Sequence, residues 1–132
     1  MARVLADTHA IIWYLSGSPS LSQKARTALD SAVQGVDLYL SAITLVEMRY
    51  LVEKGSIAQS ELARLDNLIN AQSSPLVLVS LDQDIARALI HIPRTLVPDM
   101  PDRIIAATAY HLRVPVVTHD HRITNSPIST IW

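Results

Sequence analysis

Residues 3–15 read RVLADTHAIIWYL, and this stretch decides the interpretation of the fold. Its first five residues form a short apolar run that ends at Asp7, which is typical of a buried strand. The residues from Thr8 to Leu15 then predict a helix, which ends at the breaker sequence SGSP at residues 16–19. A buried strand followed by a helix is the unit from which parallel sheets are built.

The same alternation continues along the chain. Further strands are predicted over residues 38–41, 76–79 and 114–118, with a short fifth strand over 128–132. The predicted helices cover roughly 21–33 (capped by Ser20), 44–54, 57–69, 82–90 (capped by Asp82) and 102–112, the last after a proline-rich loop over 93–101. This order predicts an α/β fold, a three-layer sandwich with a mainly parallel sheet of about five strands flanked by helices.

The composition predicts one soluble domain over residues 1–132. Of the 132 residues, 49% are apolar and 17% charged, which excludes a disordered protein, and the net charge of −1 does not advertise a nucleic-acid partner. No apolar run approaches the ~18 residues that span a bilayer, and the N-terminus does not resemble a signal peptide, so we expect no membrane and a cytoplasmic location. The absence of cysteine excludes disulfides, thiolate nucleophiles and thiolate zinc sites.

Acidic side chains follow the ends of the predicted strands. Asp7 ends the first strand, and Glu47 lies early in the helix after the second. Asp99 and Asp102 flank the start of the helix before the fourth strand, and Asp120 lies two residues beyond the apolar core of that strand. Open α/β sheets bind ligands at the carboxyl ends of their strands. We therefore expect these acids to meet at one edge of the sheet.

Each acid also has a purely structural interpretation. Asp7 is a good N-cap for the helix that begins at Thr8. The sequences TLVE at 44–47 and DMPD at 99–102 both have the spacing of a capping box, and Asp120 suits a turn. For each acid taken alone, capping and cation binding therefore both stay open. The occurrence of all these acids at one edge of the sheet favours a shared site.

A cluster of carboxylates predicts a hard metal ion. Close carboxylates repel one another and stay ionised together only when a cation binds. An all-oxygen site selects Mg²⁺ or Mn²⁺, and such an ion activates water for cleavage of a phosphodiester. His9, His119 and His121 each flank a candidate acid, but no spaced pair such as H-E-x-x-H supports a histidine metal site. Substrate contact or surface exposure is the favoured interpretation of these histidines.

Several neighbouring residues have supporting interpretations. The hydroxyls predicted either to orient carboxylates or to cap local backbone are those of Thr8, Ser41 and Thr118. The aromatic residues predicted to belong to the core or an interface, rather than to stack on bases, are Trp13, Tyr14 and Trp132. Arg103 is expected to contact phosphate or to pair with a carboxylate.

Four segments resemble the motifs of PIN-domain ribonucleases. They are LADTHAIIWYL at 5–15, SAITLVE at 41–47, DMPDRIIAA at 99–107 and VVTHDHRI at 116–123. The motifs stand in the order and at the spacing of that family, and the similarity covers nearly the whole chain. The compact length is most similar to the VapC-type toxins of toxin–antitoxin pairs.

The resemblance implies a PIN-like fold with a five-stranded parallel sheet and a Mg²⁺- or Mn²⁺-dependent endoribonuclease acting on RNA. The acids that it carries over as catalytic and metal-binding are Asp7, Glu47, Asp102 and Asp120, with Asp99 as an auxiliary metal-binding acid. It also implies a homodimer and a cognate antitoxin protein whose tail enters the acidic groove. One departure is Met100, at a position where close relatives often carry proline.

Two other classes of protein stay open. A phosphoryl-transfer or receiver-type α/β domain also gathers acids at strand ends, but it needs a lysine near the end of a late strand, and neither Lys24 nor Lys54 is so placed. A non-catalytic binding domain on the same fold is the other alternative. With three glycines in all, the chain has neither a dinucleotide fingerprint nor a P-loop.

Overall fold

The computed structural model describes residues 3–35 and 37–132. The strands are β1 (Val4–Ala6), β2 (Leu38–Ser41), β3 (Leu76–Val79), β4 (Val116–Val117) and β5 (Thr130–Ile131). The helices are α1 (Thr8–Ser16), α2 (Gln23–Gly35), α3 (Ala42–Glu53), α4 (Gln59–Asn70), α5 (Gln83–Ala88), α6 (Met100–Leu112) and α7 (His121–Thr124), and a single 3₁₀ turn follows α5 at Leu89–His91. None of the helices in the described residues is long and apolar enough to cross a membrane.

The five strands form one parallel sheet in the order β3-β2-β1-β4-β5. β1 is central and pairs with β2 on one side and with β4 on the other. The chain runs outward from β1 to β3, returns, and then runs from β4 to β5, so the strand order reverses between β1 and β4. The predicted α/β fold with a five-stranded parallel sheet is confirmed.

Two apolar cores cover the two faces of the sheet. Successive side chains of a strand point to opposite faces, and in β1 Val4 and Ala6 belong to one core while Leu5 belongs to the other. Buried residues of α1, α2, α3 and α4 pack in the first core, and buried residues of α5, α6 and α7 pack in the second. The predicted three-layer sandwich follows from this arrangement.

The start of α2 differs from its prediction. The predicted cap at Ser20 is wrong, because the hydroxyl of Ser22 accepts the backbone N–H of Ala25 at 3.0 Å. Leu21, which was predicted to lie inside the helix, is buried just before it. Burial of this side chain therefore anchors the chain before the first helical turn.

The start of α3 also differs, and it removes one structural interpretation of Glu47. The hydroxyl of Ser41 accepts the backbone N–H of Ile43 at 3.2 Å, so the helix begins directly after β2 rather than at Thr44. The capping-box interpretation of 44–47, one of the two left open, does not hold, since Thr44 and Glu47 both lie inside the helix. Ser41 therefore caps α3, and a local backbone cap was one of the two interpretations open for its hydroxyl.

Two elements near the end of the chain differ in length from their predictions, since α6 begins earlier and β4 is shorter. α6 begins at Met100 rather than at Asp102, with Pro101 in its first turn, where a missing N–H costs nothing. β4 is limited to two residues and is preceded by Pro115, which has no N–H for the ladder. The single turn of α7 was not predicted, because four residues are too few to show a helical period.

Candidate active site

A pocket of about 360 Å³ opens beyond the carboxyl ends of β1 and β4. Its lining residues are Asp7, Thr8, His9, Trp13, Glu47, Asp102, His119 and Asp120. The pocket lies where the strand order reverses, which is where open α/β sheets bind ligands. The structure therefore brings four of the five candidate acids together, while Asp99 is not part of this lining.

Asp7 follows β1 and is the most buried of the pocket's acids, with 7% of its surface exposed. One carboxylate oxygen accepts the backbone N–H of Ala10 at 2.8 Å and so caps α1, and the other accepts the hydroxyl of Thr118. Burial raises the pKa of Asp7, and these two hydrogen bonds act in the opposite direction. The residue is therefore a helix cap and a wall of the pocket at the same time.

Thr118 connects the acids that follow the two central strands. Its buried hydroxyl donates to Asp7 and accepts the backbone N–H of Asp120 at 3.0 Å. Asp120 in turn caps α7, since its Oδ1 accepts the backbone N–H of Arg122 at 2.8 Å. One hydroxyl thus orients Asp7 and fixes the backbone from which Asp120 projects.

Glu47 is held by a relay of two buried threonines. The hydroxyl of Thr8 donates to Oε1 of Glu47 at 2.5 Å, and it lies 3.1 Å from the hydroxyl of Thr44. A hydroxyl has one proton to donate, so Thr44 donates to Thr8 while Thr8 donates to Glu47. The relay ties α1 to α3 and points Glu47 into the pocket.

Asp102 carries the clearest electrostatic mark of the cluster. It lies in the first turn of α6 and is half-buried. Desolvation, followed by the negative charges of Asp120, Glu47 and Asp7, raises the pKa of Asp102 to about 7. Without a cation the cluster therefore takes up a proton near neutral pH, which is the expected response of carboxylates that repel one another.

Replacing Asp102 by Asn is expected to stabilise the metal-free protein above neutral pH. An acid whose folded-state pKa is about 7, against an ordinary 3.8, holds its proton longer when folded, so the free energy of unfolding falls as pH rises between these values. The gain should be about 1 kcal/mol at pH 8, because water screens a half-exposed group, and it should vanish near pH 4. Urea midpoints in EDTA at both pH values measure it, and a lower midpoint for the variant at pH 8 contradicts the repulsion.

Asp99 has a different environment from the other acids. It occupies the N-cap position of α6, but its side chain makes no capping hydrogen bond, so the capping-box interpretation of 99–102, one of the two left open, does not hold. Its carboxylate instead pairs with the guanidinium of Arg122 at 2.5 Å, and both side chains are more than half exposed. The pair links the start of α6, which carries Asp102, to α7, which Asp120 caps.

The donor chemistry of the pocket suits a hard divalent cation. Carboxylate and hydroxyl oxygens dominate its polar lining, and their charges are imperfectly compensated, as the raised pKa of Asp102 indicates. Across residues 3–35 and 37–132, no three aspartate, glutamate or histidine side chains converge tightly enough to enclose an ion by themselves. An ion here would complete its coordination with water or phosphate oxygens, as Mg²⁺ commonly does.

Comparison with known proteins identifies the family. The sequence profile described as the PIN domain matches residues 4–127, most of the chain. The chain belongs to the PIN-domain family. Among curated proteins, this PIN domain is similar to Ribonuclease VapC22 of Mycobacterium tuberculosis, with 28% identity over 138 residues and complete coverage of both chains.

Solved structures share the fold of this PIN domain. One is VapBC2 from Rickettsia felis bound to a DNA fragment from its promoter, with a TM-score of 0.71, 15% identity and 96% coverage of both chains. Another is a toxin–antitoxin complex from Klebsiella pneumoniae, with a TM-score of 0.67, 22% identity and coverage of 98% of this chain and 96% of that one. At these identities the likeness establishes the PIN-like fold.

The expectation for Arg103, a residue near the site of this PIN domain, is wrong, whereas the expectation for Trp13 is confirmed but incomplete. Arg103 does not face the pocket, since its guanidinium donates to the carbonyls of Leu89 at 2.9 Å and Ile92 at 2.8 Å. It holds the 3₁₀ turn against α6. Trp13 packs against the first core, as predicted, but it also lines the acidic pocket, which no local sequence signal indicated.

The lysines do not support the receiver-type alternative for this PIN domain. Lys24 lies in α2, and Lys54 directly follows α3. Neither is at the carboxyl end of a strand, where a receiver-type domain needs a cation to meet phosphate.

Proposed function

We propose that this PIN domain is a metal-dependent endoribonuclease and the toxin of a toxin–antitoxin pair. The observation that carries the proposal is the acidic pocket, in which Asp7, Glu47, Asp102 and Asp120 surround one opening at the point where the strand order reverses. The full-length similarity to a curated ribonuclease supports RNA as the substrate.

Asp7, Asp102 and Asp120 would supply carboxylate oxygens to an ion whose coordination water or phosphate oxygens complete, and Glu47 would assist through a direct bond or a bound water. When bound, Mg²⁺ or Mn²⁺ neutralises charge on the phosphodiester and lowers the pKa of coordinated water. The chain's own contribution is orientation, since hydroxyls of Thr118 and Thr8 fix Asp7 and Glu47. We assign Asp99 a positioning role through its ion pair with Arg122 rather than a place among the ligands.

A second mechanism is favoured by one observation, which is that His9 and His119 also line the pocket. Two histidines can transfer protons as general base and acid, and the nucleophile is then the 2′-hydroxyl of the RNA itself. That reaction needs no metal and leaves a 2′,3′-cyclic phosphate. Attack by water leaves a linear phosphate instead, so the product ends distinguish the two mechanisms.

Purified protein with Mg²⁺ is expected to cleave RNA internally and to leave linear phosphate ends. A strand with a single 2′-deoxynucleotide at the cleaved position should still be cut, because the proposed nucleophile is water. The test is to determine the termini that cleavage leaves, both on total cellular RNA and on this substituted strand. Cyclic phosphate ends, together with resistance of the deoxy strand, would instead establish the histidine mechanism. Absence of cleavage in any RNA would leave only the binding-domain alternative.

A surface beside the pocket supports a protein partner. A second groove shares His9 and Glu47 with the acidic pocket and is also lined by Val46, Tyr50 and Met100, which are large apolar or aromatic side chains exposed by 50% or more. Clustered exposure of this kind is typical of protein interfaces. We propose that the antitoxin binds here with its tail in the acidic pocket. The homodimer is proposed on the family resemblance.

A further inference from the structure

A row of aromatic rings borders the acidic pocket. His119 stacks on Trp132, with ring centroids 5.0 Å apart and planes inclined by 8°. Trp132 meets Trp13 edge to face at 5.8 Å, and Trp13 lies 5.6 Å from His9. His9, Trp13 and His119 belong to the lining of the pocket. The row therefore runs from the core of the sandwich to the wall of the candidate active site.

Burial divides these rings into supporting and accessible ones. Trp13 and Trp132 are half-buried and pack against the first core, whereas His9 and His119 are exposed. Trp132 stacks on one face of the His119 ring and packs against the first core, so it holds the exposed His119 ring in place. His119 also lies between Thr118 and Asp120 in the chain, which fixes it next to the acids. Packing within the core explains the two tryptophans but not the exposed histidine at the pocket wall.

We propose that His119, supported by Trp132, is a platform on which one unpaired nucleobase of the substrate stacks beside the scissile phosphodiester. The proposal rests on the proposed ribonuclease function and adds a specificity-determining contact to it. Flat aromatic side chains bind bases of single strands through their π-faces, with little preference for sequence. A base inside a duplex is already stacked on both sides, so the platform selects single-stranded segments and loops.

The chain contains a matched control for this contact. His91 stacks on Tyr110 with centroids 4.5 Å apart and planes inclined by 17°, which is close to the arrangement of His119 on Trp132. Both residues lie at another pocket, which Arg87 and His111 also line, and neither lines the acidic one. Loss of His91 therefore removes an equivalent exposed ring away from the proposed substrate.

The test is equilibrium binding of a set of ten-nucleotide RNA strands, each with an abasic nucleotide at one position. Binding is measured by anisotropy in the presence of Ca²⁺, which takes oxygen ligands and has the same charge as Mg²⁺. Gels check that the RNA strands stay intact. His119→Ala should bind the intact strand about fivefold to a hundredfold more weakly. It should also lose the sensitivity to one abasic position that the parent shows. His119→Phe, which keeps a flat ring but no nitrogen, should restore both, and His91→Ala should bind like the parent.

Unchanged binding by His119→Ala overturns the platform, and so does failure of a folded His119→Phe protein to recover binding. Cleavage of the same strands in Mg²⁺ separates this inference from the proposed function. Protein that binds with the expected abasic pattern but never cleaves contradicts the endoribonuclease and leaves the platform standing. Protein that cleaves abasic and intact strands equally well contradicts the platform alone.

Discussion

Replacing Asp7 by Asn is expected to lower the rate of RNA cleavage by more than about 100-fold while the fold stays intact. Removal of a residue that merely supports a metal ligand costs about 10–100-fold, so removal of a charged ligand should cost at least the upper value. The carboxamide keeps the shape of the side chain, and its oxygen still accepts the N–H of Ala10 that caps α1. Single-turnover rates and circular dichroism of both proteins measure the effect.

Asp82→Asn is the matched control for this substitution. Asp82 caps α5 by accepting the N–H of Ile85 at 3.0 Å, as Asp7 does for Ala10, but it does not line the acidic pocket. The Asp82→Asn protein should cleave RNA at the parent rate, because asparagine caps as well as aspartate. If Asp7→Asn keeps more than about a tenth of the parent rate, Asp7 is a cap and not a ligand.

Expression of the parent protein in cells should arrest growth, and expression of Asp7→Asn should not.

The sheet was the most predictable part of this chain. β2 and β3 span the residues predicted for them, and α1 begins at Thr8 as predicted. The segments 38–40 and 76–79 are short runs of leucine, tyrosine and valine, and such runs signal strands without help from the rest of the sequence. Alternation of strands and helices then determined the class of fold.

The starts of α2 and α3 were less predictable because several capping residues compete near each of these two helices. Ser20 and Ser22 both precede α2, and the choice of Ser22 depends on where Leu21 is buried. Thr44 has the sequence context of a cap, but its hydroxyl is buried against Thr8 from another helix. Contacts between elements decide such cases, and sequence spacing does not contain them.

The same limit applies within the site. The predicted strand ends indicated where the acids lie. They did not indicate that Asp99 would pair with Arg122 and be absent from the pocket that Asp102 lines. Its partner, Arg122, is 23 residues away, and no local spacing reveals the pair. The contact between His119 and Trp132 follows from the register of β4 and β5, in which Val117 pairs with Ile131. A predicted fifth strand without its register could not supply that contact.

Removal of divalent metal is expected to abolish cleavage, and addition of Mg²⁺ or Mn²⁺ is expected to restore it. A pocket lined by four carboxylates repels a phosphodiester unless a cation compensates their charge. The ion should also stabilise the fold by mass action, by about 2.7 kcal/mol when its concentration is 100 times its dissociation constant. Asp102→Asn should gain less than the parent, and Asp82→Asn should gain as much. Cleavage assays and urea midpoints, each measured in EDTA and in Mg²⁺, provide both readouts.

Two results would contradict this metal requirement in different ways. Undiminished cleavage after exhaustive chelation would mean that the acids do not act through an ion, and His9 and His119 would be the remaining proton-transferring groups in the pocket. Equal stabilisation of the parent, Asp102→Asn and Asp82→Asn by Mg²⁺ would place the bound ion elsewhere on the protein. In that case the raised pKa of Asp102 would reflect burial and repulsion in a pocket that serves another purpose.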